Sequence, residues 1–137
     1  MMRPTEIDKI ESLVLSLERM EKNSKALGSV TRKEYRIIQE ALENLEENAR
    51  GVESEDLDEY ISLKQRREKI LRSVKNWSQL RAKKLASLAC FDLVDPPENS
   101  TAEERILMEN FREAWRSFFR YAAEGYIEPA ENERENE

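Results

Sequence analysis

Apolar residues recur along most of the chain at intervals of three and four, the repeat of a helix with one buried face. Ile7, Ile10, Leu13, Val14, Leu17 and Met20 mark the first stripe, and Thr5 followed by Asp8 resembles a capping pair ahead of it. The spacing predicts a helix from about residue 6 to about residue 26, with Gly28 ending it. Thr31 and Glu34 form a capping box before a second stripe, Tyr35, Ile38, Leu42, Leu45 and Ala49, which stops at Gly51. The second helix is therefore expected over about 32–49.

After Ser54 neither glycine nor proline occurs between Glu55 and Cys90. Tyr60, Leu63, Ile70, Leu71, Val74, Trp77, Leu80, Leu85 and Leu88 trace a broad, drifting stripe, as a long or gently bent helix shows. About 35 helical residues span roughly 50 Å. That exceeds a compact four-helix domain, so part of this helix is expected to project or to pack against another chain. Pro96-Pro97 forces a break. Ser100 or Thr101 then caps a fourth helix, with Glu103 and Glu104 favourably placed in its first turn, and Leu107, Phe111, Ala114, Trp115, Phe118 and Ala122 form its stripe before Gly125. Residues 128–137 hold five acids and one base and read as a disordered tail or truncated linker after a helical domain at 1–127. The fold class is all-α, a bundle of four main helices.

Composition narrows the function. Of the 137 residues 38% are charged, against roughly 25% in an average domain, so much of each helix faces water. The absence of histidine removes the usual general base, the serine and cysteine triads and most zinc sites. There is no glycine-rich phosphate loop. Acids such as Glu43, Glu46 and Glu47 fit a solvated helical face better than a di-metal site, which needs Glu-x-x-His motifs. Cys90, the single cysteine, forms no intrachain disulfide and reads as a buried structural thiol in a reducing compartment. Catalytic residues, metals and cofactors are therefore none. No apolar run reaches the roughly 20 residues needed to cross a bilayer, and the expected location is the cytoplasm.

Charge is the strongest local anomaly. Lys64, Arg66, Arg67, Lys69, Arg72, Lys75, Arg81, Lys83 and Lys84 face the single acid Glu68, giving this stretch +8 within a chain of net charge −6. Either it lies on phosphate backbones, with Arg67, Arg72, Lys75, Lys83 and Lys84 as candidate nucleic-acid contacts, or it pairs with acidic helix faces of this chain or of a partner. The glutamate-rich second helix favours pairing. Aromatics pose a similar choice. Trp115 and Phe118 are expected in the core, whereas Phe119 and Tyr126 suit either a core or a partner surface.

Three segments together resemble a known family. Val30-Thr31-Arg32-Lys33-Glu34-Tyr35, then Leu63-Lys64-Gln65-Arg66-Arg67-Glu68-Lys69-Ile70-Leu71, then Leu80-Arg81-Ala82-Lys83-Lys84-Leu85 are similar to the helical A domain of archaeal GINS subunits. Arg66, Lys69 and Ile70 match that family's R-x-x-K-I element, and Thr101-Ala102-Glu103-Glu104 looks like the T-x-E-E start of its last A-domain helix. The resemblance covers most of residues 5 to 125. It departs from the family in carrying no β-rich B domain after the A domain, so this is either a shortened form or one without that domain. What the resemblance implies is a non-catalytic scaffold subunit that assembles with other GINS-like subunits and joins the MCM helicase and a RecJ-like protein. Arg66, Lys69, Ile70, Trp77, Arg81, Trp115, Phe118, Phe119 and Tyr126 would then serve packing or subunit interfaces, with Arg67 and Arg72 more exposed. A helical nucleic-acid binder or an antitoxin-like adaptor remains the alternative. Membranes are not expected as partners.

Overall fold

A computed structural model describes residues 3–30, 32–91 and 94–125. It is all-α, with helices α1 (Pro4–Asn23), α2 (Arg32–Val52), α3 (Leu57–Ala89) and α4 (Ala102–Glu124). In α1, α2 and α3 the expected stripes fall on the buried or half-buried faces, with Met20 of α1 the exception at 58% exposed. In α4 the buried positions are instead Glu104, Met108 and Arg112, and the expected stripe is half-buried at Leu107, Phe111 and Trp115 and exposed at Ala114, Phe118 and Ala122. α1 starts earlier than the Thr5–Asp8 pair implied. Arg3 is its N-cap, its N–H donating to Glu6 Oε2 at 3.3 Å, and Pro4 takes the first helical position, where its missing N–H costs nothing. The Thr31 half of the second capping box lies outside the described residues. Gly51 does not stop α2, which runs one residue further because Val52 is buried in the core and its carbonyl accepts from Glu55 and Asp56. Asp56 caps α3, accepting from the Glu59 N–H at 3.1 Å. α4 begins with the expected capping box, Thr101 and Glu104 bonding each other's backbone N–H, and ends at Gly125, whose φ of 70° suits glycine.

Side-chain pairings give the helix directions. Asp8 and Glu21 of α1 meet Arg66 and Arg81 of α3, so these helices run the same way. α2 runs opposite, with Tyr35 beside Trp77 and Glu46 beside Lys64. α4 advances along the end of α3 in the same sense, Glu104 meeting Arg81 and Arg112 donating to the Phe91 carbonyl at 3.2 Å. Helix α3 is thus the spine, with α1 and α2 against its length and α4 against its C-terminal part.

Two apolar clusters result. The larger joins α1, α2 and α3 through Ile7, Val14, Ile38, Leu45, Ile70 and Trp77. The smaller gathers Leu27, Leu85, Ala89 and Met108 at the other end. The long helix does not project, because its buried positions run from Leu63 to Ala89. It is α4 that outruns its support, and after Arg112 no described α4 residue is buried.

Candidate functional site

Between the two apolar clusters lies a layer of buried charge centred on Arg81, which is only 1% exposed. Its guanidinium forks onto Glu104, Nε to Oε2 at 2.6 Å and Nη2 to Oε1 at 2.9 Å. Nη1 donates to Glu21 Oε1 at 2.8 Å and to the Gly28 carbonyl at 2.6 Å. Lys84 completes the layer, its Nζ donating to Glu21 Oε2 at 2.5 Å and to the carbonyls of Glu21 and Ala26. Two bases thus meet two acids, and α1, the turn before α2, α3 and the start of α4 are fastened at one point. Gly28 is required here by space. Its N–H bonds Glu21 Oε2 at 2.8 Å, and a Cβ would stand 2.9 Å from Oε1 of that pinned carboxylate.

Burial alone would raise the Glu21 pKa, but the hydrogen bonds from Lys84, the Gly28 amide and Arg81 together hold it below the usual carboxylate range. A carboxylate with a depressed folded pKa stabilises the fold above its unfolded pKa of about 4.3, and that contribution disappears as pH falls through the folded value. Thermal melts from pH 7 to pH 3 should therefore show the wild type losing stability below about pH 4.3 more steeply than Glu21→Gln, which starts lower at pH 7. Parallel pH profiles for the two proteins would contradict this.

Ion pairs elsewhere along α3 account for much of the rest of the basic segment. Arg66 pairs with Asp8 and Glu11, Lys64 and Arg67 pair with Glu46, and Lys69 approaches Glu11 at 3.9 Å. Arg67 is half-buried and also donates to the Leu42 carbonyl, so it is not the exposed group expected, and Lys84 lies inside the charge layer. Only Arg72, Lys75 and Lys83 of the candidate nucleic-acid contacts face solvent with no ion pair among the described residues. Three phosphate contacts correspond to a salt slope of only about −2.7 on duplex DNA, a weak and unspecific hold.

Ile70 and Trp77 are each 1% exposed and pack inside the chain itself. Phe118 is not core. It is 60% exposed, Phe119 is 56% and Tyr121 is 54%, with Trp115 half-buried between them and both phenylalanine rings about one contact away, at 6.1 and 6.0 Å. The reason is geometric, since the stripe continues in register beyond the point where α3 stops. Tyr126 lies outside the described residues. Cys90 is exposed at the end of α3 and is not the buried thiol expected, because the helix turns its apolar face away one residue earlier, at Ala89. Pattern reasoning missed Glu21 and treated Glu104 as a dipole partner only. The available signal was an acid standing on an apolar stripe.

Among the described residues no group of three or more His, Cys, Asp or Glu side chains could hold a metal ion, and no helix is long and apolar enough to cross a membrane. No protein-family model, curated protein or solved structure matches the chain.

Proposed function

We propose that the chain is a non-catalytic scaffold subunit of a GINS-like replication complex, joining other subunits through its helices and supporting the MCM helicase together with a RecJ-like protein. The observation that carries this reading is the uncovered aromatic face of α4. Phe118, Phe119 and Tyr121 leave about 300 Å² of aromatic surface in water, the size of the largest apolar patch on a typical monomer, a patch that is often functional. Covering it is worth up to about 7 kcal/mol before the costs of association are subtracted. Charges on this stretch, Glu113, Arg116 and Arg120, sit to the side of the stripe, so the face itself is apolar. The R-x-x-K-I and T-x-E-E resemblances name the kind of assembly, and the cytoplasm is its compartment.

The test mixes the chain with the second GINS-like subunit type of the same source and follows complex formation on a sizing column. Phe118→Glu with Phe119→Glu should abolish the complex while changing the stability of the isolated chain by no more than about 0.5 kcal/mol, as expected for exposed positions. A complex that forms equally well with the double variant, or none with the wild type, would overturn the reading.

A further inference from the structure

α2 and α4 make no helix-to-helix contact, and their first turns border a half-open cleft of about 460 Å³ lined by Arg32, Tyr35, Arg36, Gln39, Thr101, Glu103 and Glu104. Arg32 and Arg36 stand one turn apart on the α2 wall, both exposed and without an acidic partner among the described residues. In the neighbouring α3 segment most bases are paired, so this omission stands out. The placement also opposes a local rule of helix stability. Arg32, Lys33 and Arg36 crowd cations onto the positive end of α2, with Glu34 the one acid in its first turn, whereas α4 carries Glu103 and Glu104 there. Positions that break local rules without a structural return are where function is expected.

The floor is rigid. Glu104 is neutralised by the Arg81 fork, and Tyr35 stacks on Trp77 with ring centroids 5.1 Å apart. Burial pushes the Tyr35 hydroxyl up to about 12, so it stays protonated and can donate. With Glu104 balanced, the cleft holds two guanidinium groups against the single carboxylate of Glu103. That balance matches a monoanion better than a phosphate dianion, and guanidinium forks fit carboxylates. Gln39 adds an amide able to pair with a peptide backbone.

We infer that this cleft receives an acidic residue of a partner polypeptide, with Arg32 and Arg36 taking its carboxylate and Gln39 and Glu103 meeting the adjoining backbone. The site goes beyond the assembly face of α4 and does not depend on it.

The experiment is fluorescence anisotropy of a fluorescein-labelled Glu-Gly-Glu-Ser-Glu peptide titrated with the full chain. Saturable binding is expected, weakened about tenfold or more by Arg32→Glu and by Arg36→Glu, a loss of about 1.4 kcal/mol per tenfold step, and tightened by Glu103→Gln. The melting temperature of Arg32→Glu should equal or exceed that of the wild type, because an acid replaces a base at a helix start, so lost binding is not lost folding. The Phe118→Glu/Phe119→Glu protein should bind the peptide normally, which separates this site from the assembly reading. Absence of saturable binding, indifference to both arginine substitutions, or loss in the phenylalanine variant would overturn the inference. So would displacement of the peptide by inorganic phosphate or single-stranded DNA at lower concentration than by unlabelled peptide.

Discussion

Arg81→Met should lower the unfolding free energy by about 3–5 kcal/mol, read as a shift in the midpoint of urea denaturation, because it leaves Glu104 without its buried counter-charge and strips Glu21 of one of two. The loss comes from stranding those acids, since a buried ion pair exchanged whole for apolar groups is often neutral. Arg81→Met combined with Glu104→Leu should therefore recover a large part of it. Arg81→Lys should not, because one ammonium cannot reproduce a fork that reaches Glu104 twice, Glu21 and the Gly28 carbonyl. A cost below about 1 kcal/mol for the single substitution would contradict the account of the charge layer.

Trp77→Ala is the second large effect. Trp77 is the largest fully buried side chain among the described residues, packed on Tyr35 from α2 and 5.8 Å from the Arg81 guanidinium. Removing it empties the junction of α1, α2 and α3, where the surrounding helices cannot collapse without dragging the charge layer. A cost of about 3–5 kcal/mol is expected, or a melting temperature lower by roughly 12–20 °C for a domain of this size. Calorimetry checks it, and a fall of only a few degrees would mean that the site repacks.

The apolar stripes were legible because each helix buries one face and a helix with one dry face must repeat at three and four residues. Ile38, Leu45, Ile70 and Trp77 were all identifiable in this way and all are buried. Helix ends were less so. Gly51 looks like a terminator, yet Val52 keeps the helix going by anchoring the next position, a tertiary effect absent from the local sequence. Six of the nine bases of the basic segment form ion pairs within the chain. Their partners lie on α1 as much as on α2, which spacing cannot reveal, because helix order around the spine depends on packing. The charge layer left a trace in the pattern. Glu21 follows Ile7, Val14 and Leu17 on one stripe, Arg81 falls between Trp77 and Leu85, and Glu104 precedes Met108, so three ionisable residues occupy apolar positions on three helices. That they meet at one point requires the fold. The aromatic end of α4 was misjudged for the complementary reason. Met108, Phe111, Trp115, Phe118 and Ala122 keep perfect helical step, and nothing in the step says where the supporting helix ends.

On the proposed reading the two surfaces divide the labour. The cleft between α2 and α4 is polar and rests on the charge layer beneath it, which suits selection of a charged feature. The aromatic end of α4 is apolar and unsupported, which suits affinity.

The most direct measurement is the mass in solution, by light scattering behind a sizing column, of the chain mixed with the second GINS-like subunit type, at low and high salt. A species heavier than the 16.2 kDa chain is expected, one that persists at high salt because its seam is apolar and that reverts to 16.2 kDa with Phe118→Glu and Phe119→Glu. A mass of 16.2 kDa for the unaltered chain in that mixture at both salts would contradict the assembly claim.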